Sequence, residues 1–254
     1  TAITPYGLTG PYSNYKGYEI NINAAGGIAN GVGFPDREPL NLPLFQASHM
    51  VGLASAVATT MALLYRDVSG EGQLLDVAEA DVLAVLIDGL PLPTYIYQGT
   101  SGHRNGRRAL MGRFPNTVIE CKDGWVCLHV PRLEQYLDFI KMLGNPEWGK
   151  IPRYRDRRKM AEEYPDEAEA LIRPWFMERT GQEVLQLLMH HHVPGAPVQT
   201  IDQVFHSPHF RERKFFVRVS HPRAGGLEYP IPPYRLSLTP SQIRAAAPTL
   251  GQHN

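Results

Sequence analysis

The sequence predicts an α/β fold that is divided between a large segment and a small α+β domain. The order strand, helix, strand, helix across residues 1–90 is typical of a doubly wound sheet. After residue 116 the pattern changes to two strand-like runs followed by amphipathic helices, which is typical of an α+β unit. We therefore assign residues 1–112 to the large segment, residues 113–199 to the small domain and residues 200–254 to a third, C-terminal part.

One long predicted helix organises the large segment. Small residues separate its apolar positions, so other backbone can come close to it. Gly70 and Gly72 can take the left-handed conformation of a helix C-terminus, which places the end near Ser69. Ser48 lies at the front, where a hydroxyl group can cap free N–H groups and where anions bind. This front end is the predicted place for chemistry. The apolar positions at helical spacing are Met50, Leu53, Val57, Met61 and Leu64.

Shorter elements flank that helix in the order that the fold requires. Thr1–Thr4 and Gln73–Val77 are predicted strands, and Glu19–Ala29 and Glu79–Leu90 are predicted helices. The loop at residues 5–18 is rich in tyrosine and glycine, and glycine lets backbone approach a ligand closely.

The rest of the chain carries clear local signals. Residues 117–130 predict a hairpin with its turn at Lys122-Asp123-Gly124, and residues 133–143 predict an amphipathic helix. Two further helices are predicted to begin with capping boxes, at Thr180 and at Thr200. A final antiparallel pair is joined through Gly225 and Gly226.

Composition narrows the classes of function. The 254 residues carry a formal net charge of zero, which does not favour binding to nucleic acid or to an acidic membrane and leaves a small molecule as the expected partner.

We expect no membrane span, because hydroxyl residues interrupt the most apolar run, and we find no signal peptide. Cys121 and Cys127 are expected to be reduced core residues of a cytoplasmic protein. The opening Thr-Ala-Ile-Thr indicates a piece of a longer or divided chain.

Metal sites are not expected. His190, His191 and His192 are consecutive on a predicted helix, so their side chains point in different directions and favour a solvated helix end. Cys121 and Cys127 lack a second pair of ligands at zinc-finger spacing and are predicted to pack in the core.

Basic residues offer phosphate-binding alternatives. Lys16, with Tyr15 and Tyr18 around Gly17, is suited to a phosphate or an adenine ring, and ordinary loop packing explains the same residues equally well. Two arginine-rich clusters can bind phosphate or lie on a solvated surface. A solvated surface is favoured for the cluster that comes later in the chain, because it has acidic neighbours. Both interpretations stay open for the earlier cluster. The clusters are His103, Arg104, Arg107, Arg108 and Arg113, and then Arg153, Arg155, Arg157, Arg158 and Lys159.

Six runs of the sequence, taken as a set and in order, resemble the class III CoA-transferase family, the CaiB/BaiF type. Each run alone is a weak signal, but the resemblance that they mark extends along nearly the whole chain, from residue 3 to residue 254. The runs are ITPYGLTGPYSNYKGYEININAAGG, SGEGQLLDVAEADV, FPNTVIECKDGWVCLHV, VPGAPV, HFRERKFFVRVSHP and PTLGQHN.

The resemblance implies a fold and an activity. It implies a Rossmann-like large domain, present here without its N-terminal part, a small α+β domain, a return of residues 200–254 to the large domain, and two chains interlocked as a dimer. It also implies transfer of CoA from an acyl-CoA to a carboxylic acid, through mixed anhydride and thioester intermediates on an aspartate. The cofactor is then coenzyme A, as a substrate.

Positions in the sequence carry the implied roles. A CoA-contacting segment falls on Tyr15, Lys16, Gly17 and Tyr18. An acidic position next to the active site falls on Glu19. The loop that covers the reacting thioester falls near Ala109–Gly112, which includes Met111.

One position departs from the family pattern. With Gly52 placed on the family's helix glycine, the nucleophilic aspartate falls on Ser48, and neither Asp nor Glu occurs between Glu38 and Asp67. A serine ester is far less activated toward thiolate than a carboxylic anhydride. Three hypotheses follow: an enzyme of this family with Ser48 and Glu19 in its site, a non-catalytic subunit of a heteromeric CoA-transferase, and a module that binds phosphate or nucleic acid.

Overall fold

The computed structural model describes residues 1–86, 91–99, 104–108 and 112–253. The chain forms two compact units, Thr1–Pro197 and Val198–Asn254. The predicted boundary between a large segment and a small domain near residue 112 lies inside the first unit and stays a prediction.

The first part of this unit is built on a short parallel pair of strands. Strand β1 pairs with strand β2 in the register Ala2↔Asp76 to Thr4↔Ala78. Both predicted strands are confirmed, although the second begins at Asp76 rather than Gln73. The elements are β1 (Ala2–Thr4), α1 (Glu19–Ala25), α2 (Ile28–Gly31), α3 (Gln46–Ser69), β2 (Asp76–Ala78), α4 (Glu79–Leu86) and α5 (Pro91–Gln98).

Helix α3 is the long helix that the sequence predicts. It ends at Ser69, and Gly70 follows in the left-handed conformation at φ 79°, as expected. A small core holds α3 against α1 and α4, with Ala47, Ile22 and Leu83 fully buried. The first turn of α3 is thereby fixed next to the start of α1.

The remainder of the first unit is an antiparallel sheet covered by helices. Its strand order is β3-β4-β5, and the predicted hairpin is confirmed. Val126 and Leu128 of β4 pack with Phe139, Ile172 and Phe176 of the helices in the main hydrophobic core. The elements are β3 (Asn116–Cys121), β4 (Gly124–His129), α6 (Leu133–Met142), α7 (Arg157–Glu162), α8 (Pro165–Met177), α9 (Gly181–His190) and β5 (Gly195–Pro197), with 3-10 turns at Glu147–Lys150 and Pro152–Arg155.

The two cysteines behave differently from the expectation. Both are free thiols, and Cys121 is buried, but Cys127 is exposed. Alternate residues of a strand face opposite sides of its sheet, so Val126 and Leu128 take the core side of β4 and Cys127 takes the other. The prediction of a core position for Cys127 is therefore wrong.

The second unit contains two short helices and a hairpin. Thr200 caps the first helix through a capping box with Gln203, as predicted. The predicted antiparallel pair is also confirmed, with His221 opposite Gly225. The elements are α10 (Ile201–His206), α11 (Pro208–Glu212), β6 (Phe216–His221) and β7 (Gly225–Pro230).

Helix α3 exposes an apolar face. Leu53, Val57, Met61 and Leu64 are each more than 60% exposed. With 24 residues and 17% of its most apolar window buried, α3 is long and apolar enough to cross a membrane by length and composition alone, a test that the core helices of soluble proteins also pass. The expectation that hydroxyl residues prevent this is wrong, because Thr hydroxyls in α3 bond to the helix's own carbonyls.

Candidate active site

The candidate site lies where the two parallel strands end. In open α/β sheets, ligands bind outside the carboxyl ends of the strands. The loop at residues 5–18 leaves the carboxyl end of β1, and α4 begins at the carboxyl end of β2. This loop is tied to β2 and α4, because the Asp76 carboxylate accepts from Leu8 N at 3.0 and 3.2 Å, and Ala80 N donates to Pro5 O at 3.1 Å.

Glu19 and Ser48 meet at the start of α3. One carboxylate oxygen of Glu19 accepts from Ala47 N at 2.9 Å. The other oxygen accepts from Ser48 N at 3.1 Å and from Ser48 Oγ at 2.5 Å. The residue before the helix, Phe45, makes no side-chain capping bond. The carboxylate of Glu19, which begins α1, therefore caps α3.

The predicted capping role of Ser48 is wrong. Ser48 is the third residue of α3, and its hydroxyl group donates to Glu19 instead of accepting from the backbone. An N-cap residue lies before the first helical residue, so Ser48 is one turn too late for that role. The structure nevertheless brings the two predicted catalytic side chains together.

The electrostatics of the site favour an ionised Glu19. Burial raises the pKa of its carboxyl group, but the hydrogen bonds from Ser48 and Ala47 together lower the pKa by more than burial raises it. The pKa therefore lies below the ordinary value of 4.5. The positive end of the α3 dipole acts in the same direction. Glu19 is therefore a carboxylate at neutral pH.

Glu79 is a second acidic residue of this region, and it is not among the residues that the sequence predicts for the site. It is the first residue of α4. Burial, and after it the negative charge of Glu19, raise the pKa of Glu79 above 4.5. Its place at the carboxyl end of a predicted strand was the signal that could have identified it. The two carboxyl groups thus have pKa values that are shifted in opposite directions.

The segment Tyr15–Tyr18 runs directly into Glu19. Tyr15 and Tyr18 are 60% and 76% exposed. Gly17 packs closely, since an added Cβ would lie 2.8 Å from Pro5 Cβ. Lys16 is exposed as well. Loop packing thus explains Gly17. One face of the Tyr15 ring stacks on Tyr12, with the ring centroids 5.0 Å apart. The other face of that ring, the Tyr18 ring and the lysine remain open to a ligand beside Glu19.

The other predicted binding residues lie elsewhere or outside the described part. Met111 lies outside the described residues. Gly112 lies against Asn116 and lines a cavity of about 20 Å³. Neither Glu19 nor Ser48 lines that cavity. His103 of the first basic cluster also lies outside the described residues.

The arginines of the basic clusters are largely engaged by protein groups. Arg107 and Arg108 both donate to the buried carboxylate of Glu169. Arg104 donates to the backbone carbonyls of residues 30, 34 and 37. Arg157, predicted on the surface, is buried and donates to the carbonyls of residues 114, 130 and 132. These contacts argue against phosphate binding by these four residues.

Among the described residues, no group of three His, Cys, Asp or Glu side chains is placed to hold a metal ion.

Comparison with known families decides the classification. The sequence profile of CoA-transferase family III matches residues 1–254. The chain belongs to CoA-transferase family III.

Relatives within family III include enzymes from Chloroflexus aurantiacus. The chain is 27% identical over 253 residues to a succinyl-CoA–D-citramalate CoA-transferase, covering 99% of this chain and 62% of the relative. It is 29% identical over 254 residues to the beta subunit of a succinyl-CoA–L-malate CoA-transferase, with the same coverage. The chain thus spans about three fifths of the length of these family III relatives.

A solved structure supports the fold. The crystal structure of a CaiB/BaiF family protein from Brucella suis superposes with a TM-score of 0.83 at 27% identity, covering 99% of this chain and 64% of that one. The α/β fold of this chain therefore matches part of a family III structure.

Proposed function

We propose that this chain serves in the transfer of CoA from an acyl-CoA thioester to a free carboxylic acid. Glu19 and Ser48 form the reacting centre, and Tyr15–Tyr18 hold part of the CoA. The observation that supports this most directly is the ionised carboxylate of Glu19 on the first turn of α3, at the carboxyl ends of two parallel strands, in a family III chain.

The residues beside Glu19 suit coenzyme A. Lys16 supplies a cation for a phosphate group. The exposed ring of Tyr18, and the face of Tyr15 that is not stacked on Tyr12, supply surfaces for an adenine. Asn23 is fully buried one turn after Glu19, and its Oδ1 atom has no partner among the described residues. A polar ligand group or a water would satisfy that oxygen. Because the relatives are named for succinyl-CoA, succinyl-CoA is the first donor to test.

The proposed assembly is an interlocked pair of chains, built on a Rossmann-like large domain. The exposed apolar face of α3 supports it, since contiguous apolar surface of this kind marks an interface. A homodimer and a heteromer with a second CoA-transferase chain both provide such a cover. We place the activity in the cytoplasm, where two free cysteines are stable.

A second candidate function is a non-catalytic, CoA-binding subunit. The first turn of α3 carries Ser48 and has no carboxylate of its own, which favours this candidate. Relatives named as alpha and beta subunits of one transferase show that the family includes heteromers.

Titration of succinyl-CoA into the purified assembly tests the proposal. We expect the Lys16→Ala variant to bind the ester about tenfold more weakly, because a charged hydrogen bond to phosphate is lost. The loss should shrink at high salt, where exposed charges are screened. Lys150→Ala is the matched control, since Lys150 is also exposed and pairs with Glu147 in a surface ion pair. Equal affinity of both variants, or no binding by the unmodified assembly, would contradict the proposal.

A further inference from the structure

The proposed reaction needs a carboxylate at the start of α3, where the helix has none of its own. CoA transfer through an anhydride requires a carboxylate that attacks a thioester and is then attacked by thiolate. From residue 39 to residue 66 the sequence has neither Asp nor Glu. The carboxylate at this helix end comes from another element, because Glu19 of α1 accepts the bonds from Ala47 N, Ser48 N and Ser48 Oγ.

We propose that Glu19 is the nucleophile, so that a carboxylate from α1 replaces the one that the first turn of α3 lacks. This inference rests on the proposed CoA-transfer function. Glu19 is only partly buried, and its chain neighbours Tyr18 and Ile20 are 76% and 63% exposed, so a substrate can approach from the side of α1.

The first half of the reaction forms a glutamyl thioester. A carboxylate oxygen of Glu19 attacks the carbonyl carbon of the donor R–CO–S–CoA, the C–S bond breaks, and CoA leaves as a thiolate. The product is a mixed anhydride between Glu19 and the donor acyl group. The thiolate then attacks the γ-carbonyl carbon of Glu19, the C–O bond to the acyl group breaks, and the donor acid leaves as a carboxylate.

The second half repeats these steps with the acceptor acid. The acceptor carboxylate attacks the glutamyl thioester and releases the thiolate, which forms a second anhydride. The thiolate attacks the acceptor carbonyl, so the acceptor leaves as its CoA thioester and the carboxylate of Glu19 is restored. No net proton or electron is consumed, and no co-reactant is required.

Ser48 and the backbone position the nucleophile. Three donors at 2.5–3.1 Å hold both carboxylate oxygens of Glu19 in one orientation. When the γ-carbonyl of Glu19 becomes tetrahedral, negative charge develops on an oxygen next to these donors. Preorganised donors at such a position stabilise the transition state, and removal of one costs about 10²-fold or more in rate.

Trapping of the intermediate tests the assignment. The purified assembly is incubated with succinyl-CoA and quenched with hydroxylamine, which converts a glutamyl thioester into a hydroxamate that tandem mass spectrometry can locate. We expect the hydroxamate on Glu19. Glu19→Gln should lose the label and at least about 10³-fold in transfer rate while succinyl-CoA still binds by calorimetry. Glu71→Gln, the same change just beyond the other end of α3, should leave both unchanged.

A second sample, quenched in acid without hydroxylamine, shows whether Ser48 carries an acyl group. An acyl group on Ser48, a label on a co-purifying chain, or transfer without any label on Glu19 would overturn the assignment, although CoA transfer itself would stand. An assembly that does not bind succinyl-CoA at all would instead remove the proposed function, and the nucleophile with it.

Discussion

At the scale of single residues, the buried carboxylate of Glu169 connects side chains from separate parts of the chain. It accepts from Thr117 Oγ1 at 2.7 Å, from Arg108 Nε at 2.8 Å and from Arg107. Its side chain is only 8% exposed. Glu169 therefore ties the segment before Gly112 to helix α8.

Glu169→Gln should lower the free energy of unfolding by about 3 kcal/mol, because it removes the buried charge that pairs with Arg108 and leaves that largely buried guanidinium with only the exposed carboxylate of Asp166. The measurement is urea denaturation at pH 7. Glu162→Gln is the matched control, since it breaks an exposed i,i+4 pair with Arg158 and should cost only about 0.4 kcal/mol. Equal losses of unfolding free energy in the two variants would show that the Glu169 network contributes no more stability than an exposed ion pair.

The same variant predicts a dependence on pH. Burial raises the pKa of Glu169, but its hydrogen bonds to Arg108 and Thr117 and the arginine charges together lower the pKa by more than burial raises it. The pKa therefore lies below 4.5. A carboxyl group whose folded pKa is depressed stabilises the protein above its unfolded pKa, and this stabilisation is lost as pH falls through the folded value. The difference in unfolding free energy between wild type and Glu169→Gln should therefore shrink as pH falls below about 4. A constant difference between pH 7 and pH 3 would contradict this.

Residue-level predictions from sequence succeeded where the partners are near in the chain. The pairing of Arg158 with an acidic neighbour was expected and involves residues four positions apart. The pairing of Arg108 with Glu169 was not expected, because the two are separated by 61 positions. The Glu19–Ser48 contact, 29 positions apart, became visible only through family resemblance.

At the scale of elements, helix α3 offers a test with two glycines in opposite situations. Gly70 has φ 79°, whereas Gly52 lies inside the helix, and an added Cβ meets nothing within 4 Å at either position. Gly70→Ala should lower the free energy of unfolding by about 1 kcal/mol, because a Cβ is strained in the left-handed conformation. Gly52→Ala should raise it by about 0.7 kcal/mol, because the unfolded chain loses freedom.

Thermal and urea denaturation of both variants measure these changes. Contact of the added Cβ with other parts of the protein cannot explain a difference between them, since it meets no such atom within 4 Å at either site. A loss at Gly52 as large as that at Gly70 would indicate that another surface packs against this turn of α3 in the assembled protein.

Elements were predictable where their signals are local. The capping box of Thr180 and Glu183 spans three residues and was found from sequence. The start of α3 was placed too late, because its capping carboxylate comes from α1. Helix α5 is not predicted from the sequence, because prolines often mark the end of a helix. Here Pro91 instead begins α5, and proline is also favoured at the first position of a helix.

At the scale of the whole molecule, the two parts of the first unit differ in their cores. A large apolar core supports the antiparallel sheet, whereas the core between α1, α3 and α4 contains few fully buried residues. The order of strands and helices and the family resemblance both predicted the α/β fold, but no pattern in one chain shows what covers an apolar helix face. That information lies in the complementary surface of a partner.

The exposed face of α3 yields a prediction about assembly. If this face is an interface, the double variant Leu53→Glu, Met61→Glu should dissociate the assembly, because two desolvated carboxylates oppose association. Light scattering after size-exclusion chromatography should then give a smaller mass than wild type. The matched control is Leu133→Glu, Leu137→Glu, which changes two similarly exposed leucines on α6 and should keep the mass. If the face instead enters a bilayer, the wild type should float with lipid vesicles and the α3 variant should not. A wild type that is monomeric without lipid would contradict the proposed interface.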